Sequence, residues 1–260
     1  MPTVEPLKEP TAHSAQSSTE ILAKLPIRAM CLGPSASGKT VLLTRLIVDP
    51  QFYGGKFSRV YWFSPSASVD EGLDPLREYV KRLQPQDTDA SFYDEFDPSV
   101  IQKILDRAKK VTQHLKATKQ KKRFNVLIVI DDFADNPQAV HKCGGILETL
   151  YVKARHYFVS TIISSQKLKL ISPCIRVNLT ALFIFRLRNQ SDLLDGVIRE
   201  YSALIDAKTL MQMYRRAVSR PFGFLFIDLL SRDLNHMFYN SFLSRFVVEE
   251  DDAEEVKSDG

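Results

Sequence analysis

The segment from Gly33 to Thr40 is the feature that most constrains the fold, because it matches a phosphate-binding loop at every required position. A short apolar segment, Ile27 to Leu32, precedes the loop, and residues 41–47 after it have apolar positions at helical spacing. A strand, a glycine-bounded loop and a helix are the context that the pattern G-x-x-x-x-G-K-S/T requires. The segment therefore predicts a nucleoside triphosphate site. Its residues are Gly33, Pro34, Ser35, Ala36, Ser37, Gly38, Lys39 and Thr40.

The chemistry of such a loop explains the spacing of its residues. Consecutive backbone N–H groups curl around the phosphates, and the N-terminus of the following helix adds partial positive charge. Lys39 can reach the β- and γ-phosphates, and the Thr40 hydroxyl can ligate Mg²⁺. ATP and Mg²⁺ are therefore the expected cofactors. The alternative is a glycine-bounded turn that binds no ligand.

Length and composition predict one folded domain with short tails. At 260 residues, 44% of them hydrophobic, the chain can bury a sizeable core. We expect a disordered leader over 1–20, a P-loop ATPase domain over 21–248 and an acidic disordered tail over 249–260. Three cysteines without a C-x-x-C pair indicate reduced thiols in a cytosol-like compartment. No apolar run approaches the ~18 residues of a transmembrane helix, so no membrane partner is expected.

The formal net charge of +4 is unevenly distributed along the chain. Residues 249–260 carry seven acids and one lysine, a net charge of −6, so residues 1–248 hold +10. A basic body with a short acidic tail suits a polyanionic partner, and the tail either masks that surface or binds something else. The alternative is that the tail only aids solubility.

Alternating strand and helix patterns predict an α/β fold, in which a doubly wound, mostly parallel sheet carries the ligand at the carboxyl ends of its strands. With the phosphate-binding loop, this pattern indicates the additional-strand, RecA/FtsK-like class of P-loop NTPases. Strands after the loop are predicted over 58–64, 124–130, 157–164, 180–185 and 222–229, the last of these as the final strand. Short helices and loops are predicted over 66–98, and helices over 98–115, 137–154, 191–200 and 204–217.

Two acids and a glutamine complete the predicted catalytic site. Asp131 ends a continuously apolar strand and is expected to hold Mg²⁺, while Asp132 is expected to orient or deprotonate the attacking water. Gln166 ends the next strand and is the predicted sensor of the γ-phosphate. The alternatives are a solvent-facing acid pair, a helix or turn cap at Asp132, and an ordinary exposed glutamine.

Four segments together resemble the genome-packaging ATPases of nucleo-cytoplasmic large DNA viruses, the poxvirus-type members of the FtsK–HerA superfamily. They are GPSASGKT, FNVLIVIDDF, KARHYFVSTIISSQ and IRVNLTALFIFRLRN, and the resemblance spans about residues 27–228. The first two motifs are generic to NTPases, whereas the later pair is more specific. The resemblance implies an ATP-driven translocase of double-stranded DNA that works as a homo-oligomeric ring with a capsid or portal partner, at a viral assembly site or in the virion. Related ATPases occur in virophages and virus-like transposons, which the sequence does not separate.

Ring ATPases deliver a cation to the γ-phosphate of a neighbouring subunit, where it stabilises the charge of the transition state. Arginine suits this task because its planar guanidinium is always charged. The sequence leaves the choice open, and each candidate has a salt bridge or a DNA contact as its alternative role. The candidates are Arg155, Arg176, Arg186 and Arg188.

A basic run between Lys103 and Arg123 holds nine cations and one acid. Such density can neutralise several phosphates, and the scarcity of aromatic residues favours tracking of a duplex backbone without reading of its sequence. The alternative is a solvated helix face followed by an exposed loop. The cations are Lys103, Arg107, Lys109, Lys110, Lys116, Lys119, Lys121, Lys122 and Arg123.

These observations predict a motor that hydrolyses ATP, moves double-stranded DNA irrespective of sequence and packages a viral genome into a preformed capsid. Two alternatives stay open. A small-molecule kinase on a P-loop scaffold would carry an arginine-rich lid, and no compact lid is evident in the sequence. A non-catalytic switch would bind the nucleotide without turning it over.

Overall fold

The computed structural model describes residues 16–17, 19, 21–84, 90–120, 124–133 and 145–248. Nine strands of this part of the chain form one sheet. The strands are β1 Arg28–Leu32, β2 Arg59–Phe63, β3 Phe92–Tyr93, β4 Val126–Ile130, β5 Val159–Ser165, β6 Ala181–Phe185, β7 Phe224–Asp228, β8 Phe238–Asn240 and β9 Ser244–Arg245. The α-helices are α1 Lys39–Val48, α2 Asp74–Leu83, α3 Pro98–Ala117, α4 Ile146–Val152, α5 Pro173–Arg176, α6 Arg199–Tyr201 and α7 Ala207–Ala217, and a π-helix spans Asp192–Ile198.

The strand order is β3-β2-β4-β5-β1-β6-β7-β8-β9, and the pairs from β3 through β6 are parallel. From β6 to β9 the pairing is antiparallel. Strand β5 lies between β1 and β4, and its Ile163 pairs with Met30 on one side and Ile130 on the other. This register places the carboxyl ends of β1, β4 and β5 side by side, where open α/β sheets bind ligands.

Helices cover both faces of the sheet. On one face, Leu43 of α1 and Leu76 of α2 share a buried cluster with Trp62. On the other, side chains of α3, α4 and α7 pack in a second cluster with Phe63 and Ile128. The central strands are buried along their whole length, as the continuous apolar runs predict. The prediction of a doubly wound, mostly parallel α/β sheet is confirmed.

The prediction that residues 222–229 form the final strand is wrong. Strands β8 and β9 follow β7 and extend the sheet as an antiparallel edge, and β3 adds a further short strand at the opposite edge. These three strands contain only two or three residues each, too few for a periodic signal. Their pairing depends on the edge of the sheet that they meet.

Other predictions fall partly outside the described residues. Of the helix predicted over 137–154, the described part is Ile146–Val152 followed by a 3₁₀ turn at Ala154–Tyr157. Two residues assigned to the leader contact the folded body: Gln16 exchanges hydrogen bonds with the backbone of Leu25, and the Thr19 hydroxyl donates to the Gln51 carbonyl. Within the described ranges, no helix is both long and apolar enough to cross a bilayer.

Candidate nucleotide site

The loop between β1 and α1 depends on its two glycines. A Cβ atom at Gly33 would lie 2.7 Å from the Ser37 hydroxyl oxygen and 2.8 Å from Cβ of Phe185, so no other residue fits. Gly38 has φ +98°, a conformation that a side chain would strain. The Gly33 N–H donates to the Ser165 carbonyl at 3.0 Å, which fastens the start of the loop to β5.

The loop is built to receive an anion. Helix α1 begins at Lys39 without a side-chain cap and without an acid in its first turn, so its first N–H groups are available to a ligand. The Lys39 side chain is buried, and its ammonium donates to the carbonyls of Gly33 at 2.9 Å and Pro34 at 3.0 Å. The cation is therefore held within the curl of the loop.

Asp131 lies against the loop with almost no solvent contact, at 4% exposure. Its carboxylate accepts hydrogen bonds from the Thr40 hydroxyl at 3.0 Å and from the Ser164 hydroxyl. Burial raises the pKa of Asp131, against the lowering effects of the two hydroxyl donors and of the Lys39 charge. A buried carboxylate beside a hydroxyl oxygen is a donor set that suits Mg²⁺, since a divalent cation would compensate the buried charge.

Asp132 turns back over the end of β5. Its backbone is left-handed, with φ 58°, and its N–H donates to the Ser164 hydroxyl at 3.2 Å. Its carboxylate is exposed and accepts from the Gln166 amide at 3.2 Å. The structure thus brings Lys39, Thr40, Asp131, Asp132 and Gln166 together at one end of the sheet, beside a cavity of about 390 Å³.

Ser164 is the residue of this site that sequence reasoning missed. It joins the two acids, because its hydroxyl donates to the Asp131 carboxylate and accepts from the Asp132 N–H. The available signal was a polar side chain inside a continuously buried strand, which requires a hydrogen-bond partner.

The four candidate arginines occupy three different places. Arg186 and Arg188 follow β6 and line a second cavity, of about 620 Å³, beside the loop of their own chain. Arg155 is exposed in the 3₁₀ turn before β5, at the amino-terminal edge of the sheet. Burial lowers the pKa of Arg28, and the charge of the nearby Arg155 lowers it further. Arg176 forms an ion pair with Glu200.

The described part of the basic run is mostly the outer face of α3. Its Ile101, Ile104 and Leu105 face the core, whereas the cations on the other side of the helix are exposed. The exposed cations of α3 are Lys103, Arg107, Lys109, Lys110 and Lys116, and the exposed Lys119 follows the helix. Residues 121–123, which hold the last three cations of the run, lie outside the described residues.

The fold and the loop define a class of protein. A glycine-bounded phosphate loop after β1, with β5 inserted between β1 and the acid-bearing β4, is the arrangement of the additional-strand P-loop NTPases. The family model described as the Poxvirus A32 protein matches residues 14–220, so the chain belongs to this family. The resemblance to poxvirus-type packaging ATPases is confirmed.

Two viral proteins and several solved structures are similar to the chain. Uncharacterized protein 015R of Frog virus 3 (isolate Goorha) is 25% identical over 201 residues, which are 77% of this chain and 56% of that protein. Uncharacterized protein 075L of Invertebrate iridescent virus 6 is 24% identical over 151 residues, 56% of this chain and 55% of that protein. The chain therefore spans just over half the length of these relatives.

Among solved structures, B204, the DNA-packaging ATPase from Sulfolobus Turreted Icosahedral Virus, aligns with a TM-score of 0.54 at 15% identity, covering 83% of this chain and 96% of B204. The conjugation coupling protein TcpA of pCW3 aligns with a TM-score of 0.53 at 17% identity, covering 78% of this chain and 58% of TcpA. The genome packaging NTPase B204 from Sulfolobus turreted icosahedral virus 2 was solved in complex with AMP, ATP-gammaS and AMPPCP. At these identities the likeness establishes a shared fold.

Proposed function

We propose that the chain hydrolyses Mg²⁺-bound ATP and uses the energy to move double-stranded DNA into a preformed viral capsid. The proposal is supported most directly by a series of hydrogen bonds that runs from the phosphate loop to the residues expected beside the γ-phosphate. Thr40 donates to Asp131, Ser164 joins Asp131 to Asp132, and Gln166 donates to Asp132. Such a chain connects the metal-binding, water-activating and sensing groups in one unit.

The phosphates are held by the loop N–H groups, the N-terminus of α1 and the Lys39 ammonium. Thr40 and Asp131 would hold Mg²⁺, which supplies positive charge that neutralises the phosphate oxygens as they separate. The buried Asp131 carboxylate stays ionised at neutral pH more readily with this cation beside it, because burial alone disfavours its charge.

Asp132 acts on the attacking water. Its exposed carboxylate lies at the mouth of the cavity that Lys39, Thr40 and Asp131 also line. As the water oxygen bonds to the γ-phosphorus and the bond to the β–γ bridging oxygen breaks, Asp132 accepts the proton of the water. Gln166 fixes the orientation of Asp132 through its amide. A shift of Asp132 on loss of the γ-phosphate would therefore move Gln166 and the end of β5.

The proposal that the chain moves DNA is supported by its family membership and by its charge distribution. The exposed cations of α3 form a surface that suits the phosphates of a duplex without reading its bases. A homo-oligomeric ring would place an arginine of one subunit at the site of the next, and Arg155, Arg186 and Arg188 remain the candidates. A capsid or portal protein would be the further partner, at a viral assembly site or in the virion.

The proposal is tested by separating nucleotide binding from hydrolysis. Lys39→Ala should abolish binding of ATP, whereas Asp132→Asn should keep binding within about threefold and lower phosphate release by about 10²- to 10⁴-fold, the usual contribution of a general base. Asp195→Asn, an exposed acid of the π-helix, is the matched control and should retain full activity.

Three results would contradict the proposal. Unchanged hydrolysis by Asp132→Asn would remove the assigned base. Binding by the wild-type chain without turnover, with or without DNA, would favour the non-catalytic switch. Transfer of the γ-phosphoryl group to a small-molecule acceptor in place of water would favour the kinase.

A further inference from the structure

A second cavity, of about 620 Å³, opens on the other side of the phosphate loop from the two acids. The loop residues Pro34, Ser35 and Ser37 form one wall, and the segments 185–188 and 218–223 form the others. These segments are the end of β6 and the approach to β7, which pair with each other. The sheet order therefore places this cavity beyond β1 on the side away from β4.

The position of the cavity fits one end of the bound nucleotide. Asp131 and Asp132 follow β4, so the γ-phosphate and the metal lie toward that side of the loop. The β6 side of the loop is then open to the nucleoside end. The volume is also that of an ordinary small-ligand pocket, roughly 300–1,000 Å³.

Phe222 stands between the two cavities and lines both. Its side chain is 71% exposed, and a Cβ atom at Gly38 would lie 3.2 Å from its ring. Its backbone is left-handed, with φ 59°, which is unusual for a bulky residue. An exposed aromatic ring on a strained backbone beside a phosphate loop indicates a ligand-binding role for Phe222.

The neighbouring glycine holds Phe222 in this position. The Gly223 N–H donates to the Arg220 carbonyl at 3.1 Å, and a Cβ atom at Gly223 would lie 2.3 Å from the Ala217 carbonyl oxygen. The loop before β7 therefore packs closely against the end of α7, and this backbone packing directs the Phe222 ring outward.

The cavity also carries positive charge. Arg186, Arg188 and Arg220 line it, and none of the three forms an ion pair with a described residue. The planar faces of guanidinium groups stack on aromatic rings such as a base, and their charge suits the phosphates at the loop end of the cavity.

We propose that the base and ribose of the bound nucleoside triphosphate occupy this cavity, and that Phe222 is the stacking platform for the base. The inference rests on the proposed function, since it assigns the second half of the same ligand. Stacking on an aromatic face accepts any base, so Phe222 contributes affinity for the nucleoside without selecting adenine.

The test compares a ligand that has a base with one that lacks it. Isothermal titration calorimetry on the full chain with Mg²⁺ measures the affinity of AMPPCP and of inorganic tripolyphosphate. Phe222→Ala should weaken AMPPCP by about 5- to 100-fold, the range typical of one stacked base, and leave tripolyphosphate within twofold. Phe222→Tyr should behave as wild type, because it keeps the aromatic face. Leu243→Ala, an equally exposed apolar truncation away from this cavity, should change neither affinity.

Each outcome decides the inference. Equal losses for both ligands in Phe222→Ala would mean that Phe222 acts through the loop, and an unchanged AMPPCP affinity would mean that the base lies elsewhere. Either result overturns the assignment of Phe222 and leaves the phosphate site intact. Failure of the wild-type chain to bind either ligand would instead refute the proposed function. If Phe222→Ala does not fold, Phe222→Leu removes the aromatic face with less loss of volume and serves the same comparison.

Discussion

Replacing Ser164 with alanine should destabilise the protein in a pH-dependent way. The substitution removes a hydrogen bond to the buried Asp131 carboxylate and one from the Asp132 N–H. A hydrogen bond to a charged group is worth about 1.5–3 kcal/mol, whereas the N–H of the exposed Asp132 can turn to water at little cost. We therefore expect the free energy of unfolding at pH 8 to fall by about 2 kcal/mol.

The direction of the pH effect follows from the pKa of Asp131. Burial already raises this pKa, so ionisation of Asp131 destabilises the fold. The destabilisation begins as pH rises above the unfolded-state pKa of about 3.9 and is complete above the folded-state pKa. Loss of the Ser164 donor raises the pKa further. The loss of stability should therefore be larger at pH 8 than at pH 5.

Urea unfolding at both pH values, followed by the fluorescence of the single tryptophan, measures this effect, because Trp62 is fully buried. Ser160→Ala is the matched control on the same strand, since Ser160 is equally buried but accepts its hydrogen bond from the neutral Ile27 N–H, at 3.1 Å. It should cost about 1 kcal/mol at both pH values. Ser164 does not stabilise the Asp131 carboxylate if Ser164→Ala costs no more than Ser160→Ala, or if its cost does not change with pH.

Three further perturbations test other parts of the account. Asp131→Asn should stabilise the nucleotide-free protein at pH 8, because it removes a buried charge, and should abolish hydrolysis. The gain in free energy of unfolding, measured with urea, should shrink toward pH 5. A variant less stable than wild type would contradict the raised pKa of Asp131. Gly33→Ala should cost about 1–3 kcal/mol and abolish nucleotide binding in calorimetry, because its Cβ has no room; retained binding would show that the loop tolerates the overlap. Lys109→Gln with Lys110→Gln should lower affinity for duplex DNA in a filter-binding salt series and reduce the slope of log affinity against log salt by about 2. Lys208→Gln on α7 is the control, and an unchanged slope in the double variant would exclude this face.

The sequence predicted the parts of the fold that repeat a local pattern. Strands β1, β4, β5 and β6 are continuous apolar runs, and α3 begins at Pro98 as its spacing and first-turn proline predict. The loop from Gly33 to Thr40 was predictable because its chemistry needs fixed residue types at fixed positions. Local patterns therefore sufficed for the class of fold and for the position of the glycine-bounded loop between β1 and α1.

What the sequence could not predict depends on which strands become neighbours. Ser164 gains its role only because β5 lies between β1 and β4, which brings its hydroxyl to Asp131 across 33 residues of sequence. The second cavity likewise exists because β6 pairs with β7 antiparallel and brings Arg188 near Phe222. In both cases a long segment separates the paired strands in the sequence, and a strand's partner leaves no periodic signal in the chain.

The proposed motor couples ATP turnover at this site to DNA. Steady-state phosphate release by the full chain should be measured with and without linear double-stranded DNA, over a series of salt concentrations. We expect a several-fold stimulation by DNA that fades as salt rises, because the contacts are to the phosphate backbone. Turnover that is the same with and without DNA at every salt concentration would contradict it.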